Sequence, residues 1–114
     1  MAMFRHEKMA ELLRHEISEI IFKEVDFSPD VIVTVTRVKI SHDFANAAVF
    51  VGVFPDKKIK EALEILSKNI YHIQKILDKK LRIRPVPKIS FKDDSEEREM
   101  VKVNDILYKI GGGK

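Results

Sequence analysis

A chain of 114 residues, 45% of them apolar, fits one domain whose core needs no covalent staple. It contains no cysteine, which excludes disulfides, thiolate metal centres and cysteine nucleophiles and accords with a reducing compartment. The formal charge is only +3, yet residues 71–92 hold seven basic groups (Lys75, Lys79, Lys80, Arg82, Arg84, Lys88 and Lys92) against one acid, Asp78.

Such a concentration is the electrostatic footprint expected for a polyanion; the plainer alternative is a solvated face. No apolar run approaches the roughly 20 residues of a membrane span. Met1-Ala2-Met3-Phe4-Arg5-His6-Glu7 enters a charged amphipathic pattern with no signal-peptide apolar block. A soluble, cytoplasmic protein is expected.

In chain order, Met9, Leu12, Leu13, Ile17, Ile20, Ile21 and Val25 recur at three- and four-residue intervals, predicting an amphipathic helix from Arg5 to Val25. It should end near Asp26, because Ser28-Pro29-Asp30 is turn chemistry. Val31 to Ile40 is rich in β-branched residues, but Thr34, Thr36, Arg37 and Lys39 make it too polar for burial on both faces. Ser41-His42-Asp43 reads as a short loop and Ala47 to Phe54 as a second strand, giving an antiparallel hairpin. Ala47, Val49, Val51 and Val53 would share one face of that strand, and Ala48, Phe50, Gly52 and Phe54 the other. With both faces apolar it should be central.

Pro55-Asp56 opens the next helix, Asp56 serving as N-cap or first-turn acid. Ile59, Ala62, Leu63, Leu66 and Ile70 form its stripe, and Ile73, Ile76, Leu77 and Leu81 continue it. Such a helix would be long for so small a domain, so a break is expected around Ser67–Tyr71, with Asn69, Ile70 and Tyr71 at the kink. Lys75, Lys79 and Arg82 would share one face of the second half, continued by Arg84 on an extended exit. Arg84-Pro85-Val86-Pro87 must interrupt the helix. Lys88 to Lys92 alternates and predicts an edge strand, and Asp93-Asp94-Ser95 a turn and cap. Glu96 to Ile110 reads as a final helix with an ambiguous start, and Gly111-Gly112-Gly113-Lys114 as a flexible end. The expected organisation is one domain over 1–110 and a tail at 111–114.

The order helix, strand, strand, helix, helix, strand predicts an α+β layer, three strands with the helices on one face. It is the signature of a KH-like fold of the second (type II) topology. Gly52 is the single glycine before the tail, so the GXXG clamp, phosphate-cradling loops and dinucleotide fingerprints are all absent.

The other candidate chemistries are thin. His6-Glu7 and His15-Glu16 begin like zincin motifs, but Ala10 and Glu19 stand where the second histidine should be. Asp93, Asp94, Glu96, Glu97 and Glu99 read as a solvated turn and helix start rather than a cation site. No serine, histidine and acid form a triad signature, so no enzyme, metal or cofactor is expected. The basic stretch does have a mechanism, since lysines and arginines neutralise phosphates and release counterions; the bland alternative is snorkelling over apolar surface. Tyr71 is the one candidate stacking platform, with Phe50, Phe54 and Phe91 assigned to the core.

Taken in order, these pieces resemble the ribosome-binding factor A family over about residues 4–108. After the first helix, Val33-Thr34-Val35-Thr36-Arg37-Val38-Lys39-Ile40-Ser41-His42-Asp43-Phe44 is similar to the family's strand running into a Ser-x-Asp-Leu turn. Ala47-Ala48-Val49-Phe50-Val51 resembles its Ala-x-Val-Tyr-Val strand. Ile83-Arg84-Pro85-Val86-Pro87-Lys88-Ile89-Ser90-Phe91 resembles Leu-Arg-x-x-Pro-x-Leu-x-Phe, and Asp94-Ser95 with Glu97 resembles Asp-x-Ser-x-Glu. The resemblance implies a KH-like fold kinked at Ala-x-Gly between two helices. It also implies binding to the small ribosomal subunit and its 16S rRNA during late maturation, with growth in the cold a common association.

This chain departs in carrying Asn69-Ile70-Tyr71 at the kink and Phe27-Ser28-Pro29-Asp30 where Asp-Pro-Arg is frequent. The expected RNA-binding residues are Lys75, Lys79, Lys80, Arg82, Arg84 and Lys88, then Arg37, Lys39, Arg5 and Arg14. A monomer that binds no membrane and no small-molecule substrate is expected. A generic KH-like RNA-binding module and a protein–protein adaptor are the rival readings.

Overall fold

The computed structural model describes the backbone of residues 2–95 and the side chains from Arg5 to Ser95. Helix α1 spans Ala2–Glu24, strand β1 Ile32–Ile40 and strand β2 Asn46–Phe54. A single 3-10 turn at Asp56–Lys58 leads into α2 (Ile59–Lys68), followed by α3 (Ile70–Lys80) and β3 (Lys88–Asp93). The α-β-β-α-α-β order is the one the sequence predicts. The expected final helix, Glu96 to Ile110, and the glycine tail lie outside the described residues, which end with Asp94 and Ser95 of the expected turn and cap. Those two are helical, and the Ser95 N–H donates to Asp93 Oδ1 at 2.9 Å, an N-cap bond.

The sheet order is β1-β2-β3, with β1 and β2 antiparallel and β2 and β3 parallel. β2 is thus the central strand. Its Ala47, Val49 and Val51 are buried in one cluster with Leu13, Ile17, Ile20 and Ile21 of α1, Leu66 of α2, Ile73 and Leu77 of α3 and Ile89 of β3. All three helices therefore lie on one face. Each large side chain in this cluster contributes about 1.5–3 kcal/mol by leaving water.

A one-sided sheet demands that every strand keep its apolar residues in phase. β1 meets this demand with a bulge. Val35 pairs with Val51, but Arg37 pairs with Phe50 and Val38 with Val49, so Thr36 is the extra residue. Val35 and Val38, three apart, both point into the core, and Arg37 and Lys39 point out. The bulge is secured by Thr36 Oγ1, which donates to the Phe50 carbonyl at 3.2 Å.

The break between α2 and α3 falls on one residue, Asn69, within the expected interval. Its φ of −100° and ψ of 3° lie in the bridge region, and its side-chain Nδ2 donates to the Ile65 carbonyl at 2.7 Å. The same carbonyl also accepts the Asn69 backbone N–H at 3.2 Å, so the amide bonds back onto the last turn of α2 and fixes the junction. Of the two roles expected of Asp56, it takes that of first-turn acid and makes no side-chain cap bond. Two finer expectations need correction. Phe54, assigned to the core, is 67% exposed because it ends its strand opposite the likewise exposed Ile32. Leu12, at the margin of the α1 stripe, is 41% exposed.

Deleting Thr36 would leave a strand of regular alternation, with Val33, Val35, Val38 and Ile40 all facing the helices. The deletion variant is expected to keep its circular dichroism spectrum and to lose about 1–2 kcal/mol in urea denaturation, from one hydrogen bond and altered twist. An unfolded variant would show that β1 needs the bulge for more than phase.

Candidate nucleic-acid interface

Ile73 and Leu77 turn inward on α3, so residues on the opposite side of that helix reach solvent. Tyr71, Lys75 and Lys79, at i, i+4 and i+8, form one exposed ridge there. Tyr71 is 88% exposed and stands just past the Asn69 break. It is an unobstructed aromatic face in line with two ammonium groups. Lys80 belongs to another face, where its Nζ lies 3.7 Å from Glu16 of α1. His72 contacts Glu24 at 2.9 Å, giving α1 and α3 a second cross-link.

The exit from α3 is held by a residue that charge reasoning overlooks. Gln74 Nε2 donates to Asp78 Oδ1 and to the Pro87 carbonyl, both at 3.0 Å, while its Oε1 accepts the Ile89 N–H at 2.9 Å. One amide thus fastens the start of β3 to α3 and sets the position of everything between. The sequence signal was a lone uncharged polar residue beside an apolar stripe, too common to single out.

Between these anchors residues 83–85 bend, and the expected extended exit is not found. Arg82 is exposed. Arg84 curls back, its Nη1 donating to the carbonyls of Leu81 at 2.8 Å and Ile83 at 2.7 Å. The bend places Arg84 beside α1, where it lines a groove with Arg5, Lys8, Met9, Leu12, Phe44, Ile83 and Pro85. Lys88 is exposed at the start of β3, and its N–H donates to the Ala45 carbonyl at 2.9 Å.

The turn beside this groove is tightly bonded. Asp43 Oδ1 accepts the Ser41 hydroxyl at 2.7 Å and the Ala45 N–H at 3.0 Å, and Ser41 Oγ accepts the Asn46 N–H at 2.9 Å. These bonds, the Ser41 hydroxyl first, hold the Asp43 carboxyl below its usual value. They also hold Phe44 in the left-handed region at φ 61°, an uncommon place for an aromatic residue. His6 stacks on Phe44 with ring centroids 4.0 Å apart, and its Nε2 lies 3.1 Å from the Ser41 and His42 carbonyls. The N-terminal part of α1 is thereby tied to the hairpin.

The secondary candidates separate. Arg5 and Lys39 are exposed. Arg14 is engaged by Glu11 through Nε at 3.0 Å and through Nη2, a pairing that raises the arginine and lowers the carboxyl from their ordinary pKa values. Arg37 lies on the outer face of the sheet, its guanidinium carbon 4.1 Å from the centroid of the Phe50 ring and its Nε 3.3 Å from Asp94. Asp94 is only 6% exposed, so Arg37 has a structural task. Among the described residues, His15, Glu16 and Glu19 bring their ligand atoms within 4.8 Å of one another, but His15 pairs with Glu19 at 3.5 Å and Glu16 with Lys80. No described helix is long and apolar enough to cross a membrane.

A three-stranded mixed sheet, helices on one face and a helix–helix junction at Asn69 instead of a glycine clamp together define a KH-like domain. The chain belongs to the ribosome-binding factor A family, whose model matches residues 5–107. It is 35% identical to ribosome-binding factor A of Halothermothrix orenii over 107 residues, covering 93% of this chain and 88% of that one. To the Clostridium perfringens protein of that name it is 30% identical over 113 residues, covering 96% and 97%. Among solved structures, the crystal structure of ribosome-binding factor A from Thermus thermophilus superposes with a TM-score of 0.66 at 24% identity, over 77% of this chain and 93% of that one. A model of the Thermus thermophilus protein fitted into a cryo-EM map of a 30S complex superposes with a TM-score of 0.61 at 25% identity, over 73% and 88%.

Because the Asp43 pKa is depressed on folding, its carboxylate stabilises the native state above the unfolded pKa, near 3.8. That contribution is lost as pH falls through the lower folded value. Asp43→Asn is therefore expected to lower the urea midpoint at pH 7, with the gap to the parent narrowing at about pH 2.5. A constant gap would assign the effect to the amide's geometry.

Proposed function

We propose that this protein is a non-catalytic assembly factor of the cytoplasm. It binds the small (30S) ribosomal subunit and the precursor of its 16S rRNA during late maturation and rRNA processing. The observation that carries this reading is the family match across residues 5–107, joined by the Thermus relative fitted into a 30S complex. The charge distribution supports it. Lys75, Lys79 and Arg82 are exposed, and such cations exchange condensed counterions for phosphates without reading sequence. Tyr71 offers an unpaired base a stacking surface. In this reading Arg84, Lys88, Lys39 and Arg5 extend the positive field, and Lys80, Arg14 and Arg37 contribute least because carboxylates already engage them. The protein acts as a monomer and needs no cofactor.

The experiment is sucrose-gradient co-sedimentation with purified small subunits, large subunits and assembled ribosomes at low and moderate salt. Selective, salt-weakened binding to small subunits is expected. Equal binding to all particles would leave a generic RNA binder, and binding to none would favour an adaptor for an acidic protein. The double variant Arg82→Glu, Arg84→Glu should weaken small-subunit binding by about tenfold or more and flatten its salt dependence, with an unchanged circular dichroism spectrum. Unaltered co-sedimentation of a folded double variant would remove these two residues from the interface.

A further inference from the structure

The groove between α1 and the bent 83–85 segment is chemically unlike the α3 ridge. It encloses about 480 Å³, and its lining combines an apolar surface of Met9, Leu12, Phe44, Ile83 and Pro85 with three cations, Arg5, Lys8 and Arg84. The cations come from both walls, and among the described residues no carboxylate lines it. We propose that this groove binds single-stranded RNA, an unpaired base resting on the apolar floor and its flanking phosphates meeting the cations on either side. The proposal rests on the small-subunit reading and specifies which form of RNA this part of the surface takes.

Charge and shape together select the occupant. Duplex RNA hides its bases and would offer this site phosphates alone, leaving the partly exposed Leu12 and Ile83 uncovered. An unpaired nucleotide satisfies both halves, since a base has an apolar face and its phosphates are anionic. An amphipathic helix with acidic residues answers the charge but presents its anchors at i, i+3 or i+4 and i+7, over two turns. A groove of this volume takes about one or two nucleotides and is short for such a helix. Arg84 is suited to the task. Its Nη1 is bonded to the Leu81 and Ile83 carbonyls, which orients the planar group, while Nε and Nη2 have no bond among the described residues. A guanidinium so held loses less freedom when it meets a phosphate or stacks on a base.

The test is fluorescence anisotropy with a labelled oligouridylate of about ten nucleotides and a mixed-sequence RNA duplex of the same length, near physiological salt. The full chain is compared with Leu12→Glu, a change at a partly exposed position. The oligouridylate should bind more tightly than the duplex, and Leu12→Glu should weaken it about tenfold while changing duplex binding far less. Should Leu12→Glu fail to fold, a 4-thiouridine oligonucleotide cross-linked to the unaltered protein decides the matter by peptide mapping. Cross-links in peptides containing Phe44 or Ile83–Pro85 support the groove, and cross-links confined to the Tyr71–Lys75 region overturn it. Equal or tighter duplex binding overturns it too, as does displacement of small subunits by a Leu- and Glu-rich helical peptide with no uridylate binding. If the unaltered protein co-sediments with small subunits in any of these cases, the groove proposal alone has failed. Loss of that co-sedimentation would instead overturn the functional reading beneath it.

Discussion

Burial of one side of β2 is the constraint on which the rest of this molecule depends. Ala47, Val49 and Val51 face the helices and Phe50 faces away, so the sheet has one dry side and one that must be managed by other means. The helices meet the first requirement by presenting Leu13, Ile17, Ile73 and Leu77 to the same cluster. Their remaining faces are then left to water, and the cations accumulate there. The exposed ridge of Tyr71, Lys75 and Lys79 is thus the geometric complement of the buried pair Ile73 and Leu77.

The second side of the sheet is covered by charge over an aromatic ring. Phe50 is as buried as a core residue, although Arg37 lies directly above it. A guanidinium is attracted to the ring face and sheds its hydration more readily than an ammonium. The nearly buried Asp94 takes up its Nε at 3.3 Å. Removing either charged partner would leave the other in a partly dry setting, which is why Arg37 serves the fold before it serves a ligand. Its place in the sequence, among Thr36, Val38 and Lys39, carries no sign of this, because its partners stand 13 and 57 residues further on.

Much of the architecture was legible because periodicity reports burial directly. The α1 stripe, the alternation of β2, the break near Asn69 and the edge position of β3 all follow from spacing and from proline chemistry. The Thr36 bulge could have been read as well. Val33 and Val35 alternate in one phase and Val38 and Ile40 in the other, and that slip is the mark of an inserted residue. The interface was less legible. Charge density marks the stretch 71–92 but not the bend at 83–85, which depends on Gln74 holding Pro87 and Ile89 from another element. The His6–Phe44 stack joins residues 38 positions apart, and local pattern has no access to such contacts.

The parallel pairing of β2 and β3 has a consequence for how the protein comes into being. Because these strands start at the same end, Asn46 lies beside Lys88 and the Ala45 carbonyl receives the Lys88 N–H. The N-terminal part of α1, the hairpin turn and the segment leaving α3 therefore converge there from three distant parts of the chain. During synthesis, a nascent chain that has emerged as far as Lys80 can form its helices and its hairpin from local contacts. It cannot build that convergent end until β3 has emerged and docked, since non-local pairing must wait for both partners. The ridge on α3 depends on a single helix and can form early, whereas the groove beside α1 belongs only to the finished domain.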